Sequence, residues 1–163
     1  MISCTEFIYA YSELFRYIEE REGFQGVREY WERISDQSIR PTLGACVGAE
    51  GVRGCLTYWA RTLREEAADF RMEYDSDAGR FVLYMRHCPS KGRLLETGKP
   101  CYAHYCEHCD TLYRRVLEAH GLYYSIDLSE CQSARCRITV ADKTAAGVYS
   151  SRKSDRILLN TGE

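Results

Sequence analysis

The chain has 163 residues, a length that fits one domain and leaves little room for a second. Its charges nearly cancel, with 22 Lys and Arg against 24 Asp and Glu, which excludes the basic excess of a nucleic-acid-binding surface. Its apolar runs are far shorter than the roughly 20 residues that span a bilayer, and its first residues lack the basic and apolar regions of a signal peptide. We therefore expect a cytoplasmic protein with no nucleic-acid and no membrane partner.

Cysteine and tyrosine are unusually frequent, with nine cysteines and thirteen tyrosines in the chain. An odd number of cysteines without a secretion signal argues against a framework of disulfides. In a reducing cytosol the thiols are expected to be free, metal-bound or catalytic. The cysteines are therefore the residues that the sequence indicates for catalysis or metal binding.

The first part of the chain predicts three helices. Ser3 and Glu6 form a capping-box pattern before a run of apolar residues at helical spacing, and Gly23 marks its end. A second helix is predicted to stop before Pro41. A third helix is predicted over about residues 50–68, although glycines near its beginning leave its first residue open.

The remaining part of the chain changes to the alternating pattern of β-strands. Alternation over residues 70–74 and 81–85, separated by turn-forming residues, predicts a β-hairpin. Helical spacing returns over about residues 105–120, and alternation resumes over 122–128 and 136–140. The second pair of strands is expected to form another hairpin.

These elements predict an α+β fold with three N-terminal helices and an antiparallel four-stranded sheet, made from two β-hairpins with a helix between them. The single domain is expected to cover residues 1–142. The polar, aperiodic residues 143–163 are expected to form a loosely ordered tail. We also expect the helix between the hairpins to pack on the sheet through three apolar side chains, those of Leu112, Val116 and Leu117.

The residues able to carry chemistry are concentrated in one segment, which contains seven thiol and imidazole groups: His87, Cys88, Cys101, His104, Cys106, His108 and Cys109. One interpretation of the segment is a zinc site, because a CxxC pair can be completed to four ligands by the two cysteines of the last hairpin. That ligand set would be Cys106, Cys109, Cys131 and Cys136. The four residues between the second pair of cysteines depart from the spacing of zinc ribbons, so we favour a site without metal.

Helix geometry favours a pocket lined by thiols. At about 100° per residue, the cysteines of the CxxC pair share the inward arc of the predicted helix, whereas His104 and His108 fall outside it. Cys88 follows the second strand and is expected to face the helix across a cleft. The residues expected to line this pocket are Cys88, Cys109, Tyr105, Tyr113 and Cys136.

Cys106 is the predicted nucleophile. A thiol near a helix N-terminus is expected to have a lowered pKa, because the macrodipole and the unpaired N–H groups favour the thiolate. His104 or His87 is the predicted base, and Asp110 is the predicted orienting or acid group. Cys109 is the second candidate for the nucleophile, and each thiol can instead be a small apolar side chain of the core.

Several short motifs resemble one protein family. They are Tyr58-Trp59, Glu65-Glu66-Ala67, Cys88-Pro89-Ser90, Tyr105-Cys106-Glu107-His108-Cys109-Asp110, and Cys136 in the last strand. Together they resemble the L-2-amino-thiazoline-4-carboxylic acid hydrolase-like family over roughly residues 45–140. The resemblance implies hydrolytic opening of a cyclic amidine at a C–N bond. It places Cys106, Asp110 and Cys136 on the cysteine-and-acid pattern of that family.

A second resemblance implies a different class of function. The cysteine on a strand after a polar loop is similar to the vinyl-reductase (4VR) small-molecule-binding domains, which bind ligands without catalysis. Two hypotheses therefore follow from the sequence: a small-molecule hydrolase that needs no cofactor, and a non-catalytic module that binds a ligand or zinc. The sequence leaves open whether the chain forms a homo-oligomer.

Overall fold

The computed structural model describes residues 4–66, 68–143 and 156–160. The helices are α1 (Cys4–Ile34), α2 (Ala45–Glu50), α3 (Arg53–Thr62), α4 (Lys91–Glu96) and α5 (Glu107–Ala119), with a π-helical segment (Ser35–Gly44) and a short 3₁₀ helix (Cys131–Ser133). The strands are β1 (Asp69–Asp75), β2 (Arg80–His87), β3 (Leu122–Asp127), β4 (Cys136–Asp142) and β5 (Arg156–Asn160).

Helix α1 consists of two arms that meet at Gly23, where φ is 72° and the backbone is not helical. The two helices predicted on either side of Gly23 are therefore confirmed. The bend brings Phe15 of the first arm against Trp31 of the second, with ring centroids 5.3 Å apart. Ser3 of the predicted capping box lies outside the described residues.

The predicted third helix is wrong in its bounds, because two shorter helices, α2 and α3, occupy this region. They are separated at Gly51, whose φ of 58° ends the first of them. They also pack closely, since a side chain at Gly54 would collide with the carbonyl of Cys46. Gly51 and Gly54 therefore allow a tight turn and close packing between α2 and α3. Pro41, expected to lie beyond a helix, lies within the π-helical segment.

The four predicted strands lie in one antiparallel sheet, as expected. The order is β3-β4-β2-β1-β5, so that β2 and β4 join the two hairpins, and Met85 pairs with Cys136. The fifth strand was not predicted, since it comes from a segment that the sequence assigned to a loose tail. It pairs antiparallel with β1, and the remainder of residues 144–163 lies outside the described part of the chain.

The core has two clusters, and α5 contributes to both. Val116 and Leu117 belong to the cluster between the sheet, α2 and α3. Leu112 belongs to the other cluster, with Phe15 and Trp31 of α1. The expectation that Leu112 faces the sheet is therefore wrong, because α1 covers that side of α5. Among the described helices, none is long and apolar enough to cross a membrane.

Candidate functional site

Five cysteines from four parts of the chain come together where α5 begins. They are Cys88 after β2, Cys106 immediately before α5, Cys109 in its first turn, Cys131 in the 3₁₀ helix and Cys136 at the start of β4. The N–H of Cys88 donates to the carbonyl of Ala134 at 2.8 Å, which ties the end of β2 to the loop before β4. This loop is held in a left-handed turn, since φ of Ala134 is 57°.

Cys109 lies at the centre of this thiol cluster. Its thiol is within electrostatic range of three other thiols, those of Cys88, Cys106 and Cys136. Four tyrosine hydroxyls are also within its range, those of Tyr11, Tyr105, Tyr113 and Tyr124. The cluster therefore brings together all the cysteines that were predicted to line one pocket, together with the two predicted tyrosines.

Burial favours the protonated form of four thiols of the cluster, those of Cys88, Cys106, Cys109 and Cys136. Burial, with a smaller contribution from the neighbouring Asp110 carboxylate, raises the pKa of Cys109 to about 12. Burial also raises the pKa of Cys106, the residue at which the helix N-terminus was expected to lower it. That expectation is wrong, because the loss of water around a partly enclosed thiol outweighs the helix dipole.

His108 points into the protein, not outward as the helical arc predicted. Its ring contacts four aromatic side chains, those of Tyr11, Phe15, Trp31 and Tyr105. Its Nδ1 is hydrogen-bonded to the carbonyl oxygen of Tyr105, and its Nε2 lies 3.5 Å from Sγ of Cys109. The prediction failed because it assumed one buried face for α5, whereas α1 covers a second face.

The two histidines that were predicted to act as bases lie at the surface. Nε2 of His87 is 2.9 Å from a carboxylate oxygen of Glu96. Nδ1 of His104 is 2.7 Å from a carboxylate oxygen of Glu107, and its ring packs on Phe24 at 4.7 Å. Within the described part of the chain, neither imidazole is hydrogen-bonded to a cysteine.

Asp110 forms an ion pair with Arg114, and its carboxylate accepts hydrogen bonds from two guanidinium nitrogens, the shortest at 2.7 Å. Arg114 also donates to the carbonyl of Tyr124 and lies over its ring. The contacts of Arg114 with Tyr124 tie α5 to β3. Asp110 is therefore engaged in structure, and the arrangement does not favour its predicted role as an acid.

The remaining predicted pocket residues lie around the cluster. Tyr105 is buried and hydrogen-bonded to the hydroxyl of Ser90. Tyr113 packs against both core clusters, with its ring 5.2 Å from that of Trp59. Cys136 also lines a surface pocket of about 510 Å³ at the end of the sheet, which gives the cluster a side that faces solvent.

No metal arrangement is evident in the part of the chain that the structure describes. No group of three or more Cys, His, Asp or Glu side chains there is placed to hold an ion, so the alternative zinc set has no support from geometry.

Comparisons of the chain with protein-family models, with curated proteins and with solved structures find no match.

The sequence interpretation missed two residues of the site. One is His108, which was placed on the outward face, and the other is Lys91, a largely buried residue whose backbone N–H lies 3.4 Å from Sγ of Cys88. The apolar stripe of the first helix was a usable signal for His108, since Phe15 and its neighbours need a partner surface that the sheet does not provide. Nothing in the local sequence indicates that Lys91 is buried.

Proposed function

We propose that the protein is a cysteine-dependent hydrolase that opens a cyclic amidine or a related C–N bond, and that Cys109 is its nucleophile and His108 its base. The observation that supports this choice is the 3.5 Å approach of His108 Nε2 to Cys109 Sγ. A nucleophile beside a base, with the base oriented by a third group, is the arrangement that activates a thiol. The substrate class rests on the family resemblance.

The surroundings of His108 favour a role as base. Donation from its Nδ1–H to the carbonyl of Tyr105 leaves the lone pair of Nε2 directed toward the thiol. Burial lowers the pKa of His108, so its imidazole stays neutral near pH 7. A neutral imidazole can accept a proton, as a general base must.

The proposed reaction has two steps. The thiol proton of Cys109 moves to Nε2 of His108 as sulfur attacks the amidine carbon, so that a C–S bond forms. The ring C–N bond then breaks, and the leaving nitrogen takes the proton from the imidazolium. In the second step His108 takes a proton from water, the hydroxyl adds to the same carbon, and the C–S bond breaks with return of the proton to sulfur.

A non-catalytic ligand-binding module is the second candidate. The observation that favours it is the protonated state of the thiols, because burial raises the pKa of every cysteine at the centre of the cluster, namely Cys88, Cys106, Cys109 and Cys136. A thiol that only lines a binding pocket has no need to ionise. The two candidates therefore differ in whether the thiol of Cys109 is needed for turnover or only for shape.

The test compares Cys109→Ser with Cys106→Ser as a matched control, using 2-amino-thiazoline-4-carboxylate as substrate. Mass spectrometry follows a product that carries one more molecule of water. We expect Cys109→Ser to lower the rate by at least about a thousandfold, because the serine hydroxyl is a much poorer nucleophile, and His108→Gln to lower it by about a hundredfold or more. Cys106→Ser should retain most of the activity.

The same experiment decides among the alternatives. Turnover by Cys109→Ser at the parental rate removes Cys109 from the mechanism, and loss of activity only in Cys106→Ser restores the nucleophile that the sequence predicted. A parent protein that binds the cyclic amidine by calorimetry without converting it supports the binding module instead.

A further inference from the structure

A pocket of about 440 Å³ lies between the second arm of α1, the first half of α5 and the end of β3. Its volume falls within the range of about 300–1,000 Å³ that is typical of small-molecule sites. No cysteine is among the described residues that line it, so it is distinct from the thiol cluster.

One side of this pocket is apolar. Phe24 and Trp31 line it from one face of α1, and Ile126 and Leu128 line it from the end of β3 and the turn that follows. Phe24, Ile126 and Leu128 are partly exposed, so a ligand with an apolar body would remove their surface from water. Trp31 is 1% exposed, and its indole Nε1 is buried without a hydrogen-bond acceptor among the described residues. Since buried N–H groups are normally paired, an acceptor is missing at Trp31.

The other side of the pocket carries charged groups, and all but one of them are engaged. Asp110 forms an ion pair with Arg114. A carboxylate oxygen of Glu107 is 2.7 Å from Nδ1 of His104. Arg28 is exposed, and within the described part of the chain its guanidinium takes part in no ion pair and no hydrogen bond. The charged group of the pocket that is left for a ligand is therefore a cation.

We propose that this pocket binds small monocarboxylates with an apolar body, whose carboxylate pairs with Arg28 and whose body lies against Phe24, Ile126 and Leu128. A guanidinium group binds a carboxylate through two parallel hydrogen bonds, so it selects this anion by shape as well as by charge. This inference does not depend on the proposed hydrolase activity, because neither Cys109 nor His108 lines the pocket.

The test uses 3-phenylpropanoate as the probe. It is compared with 3-phenylpropanamide, which has the same apolar body without the charge, and with acetate, which has the charge without the body. Calorimetry on the full chain measures the affinities, and we expect a Kd of about 1 mM or below for the probe. Both comparison compounds should bind at least about tenfold more weakly, since each lacks one of the two contributions. In Trp59→Phe, where Trp31 is the one tryptophan left, the probe should change the fluorescence in a saturable way.

Arg28→Gln should weaken binding of the probe by about tenfold, whereas Arg28→Lys keeps the charge and should weaken it less. The matched control is Arg21→Gln, since Arg21 is equally exposed on α1 but lies over the ring of Tyr17. This control should bind the probe as the parent does. Equal affinities of the parent and of Arg28→Gln would overturn the proposal. So would equal affinities for the carboxylate and the amide, or no binding of the probe at about 10 mM.

Discussion

The acid sensitivity of this protein is expected to depend on one imidazole, that of His108. Aromatic rings surround it, and burial lowers its pKa below that of a histidine in the unfolded chain. The unfolded state therefore binds a proton at a higher pH than the folded state does. Stability attributable to His108 is present above the unfolded pKa of about 6.5 and is lost as the pH falls below it.

We predict that His108→Gln reduces this acid sensitivity, because glutamine has no charge to gain when the pH falls. The measurement is the difference in melting temperature between pH 7.5 and pH 5.5, which should be smaller in the variant than in the parent. His104→Gln is the matched control, since His104 lies at the surface beside Glu107. An equal difference in the parent and in His108→Gln would show that protonation of His108 does not limit acid stability.

At this same scale the sequence predicted which thiols come together but not which groups lie beside them. The grouping of Cys88, Cys106 and Cys109 was predictable, because strand-end and helix-start positions place side chains in one region. The partner of Cys109 was not, because adjacent residues of an ideal helix point in different directions and only packing by α1 turns His108 inward. The protonated state of Cys106 depends on burial, which the sequence does not reveal.

At the scale of elements, the bend in α1 positions the aromatic residues around His108. Gly23 has φ of 72° and ψ of 178°, a conformation that a residue with a side chain rarely adopts. The bend allows Phe15 and Trp31, from different arms, to contact the same imidazole. The helix break was predictable from Gly23, but the angle between the arms depends on their packing against α5.

We predict that Gly23→Ala destabilises the protein by about 1–3 kcal/mol through backbone strain alone. A new Cβ at this position would meet no atom within 4 Å, so steric overlap does not contribute. Gly48→Ala is the control: it makes the same chemical change within α2, next to His120 at an ordinary contact distance, and should be tolerated. Urea unfolding measures the stability of both variants. Equal stabilities of the two variants would contradict the strain at Gly23.

At the scale of the whole molecule, α5 connects the two halves of the core. Its Val116 and Leu117 pack toward the sheet, and its Leu112 packs toward α1. The sheet itself was largely predictable, because alternation specifies which faces of β1–β4 are buried. The second core cluster was not, because the apolar arc of α5 does not show that α1 also covers the face that carries His108. The strand β5 was missed because its short apolar run lies within a polar segment.

The final prediction is that the two core clusters unfold together as one domain. The two tryptophans of the chain report on them separately, since Trp31 lies in the α1 cluster and Trp59 in the sheet cluster. Trp31→Phe and Trp59→Phe each leave one fluorescent probe, and we expect both probes to give the same urea midpoint. Adding Leu83→Ala, which opens a cavity in the sheet cluster, should cost about 2–5 kcal/mol at both probes, because α5 cannot lose one cluster and keep the other. A lowered midpoint at Trp59 with an unchanged one at Trp31 would show that the α1 cluster is an independent folding unit.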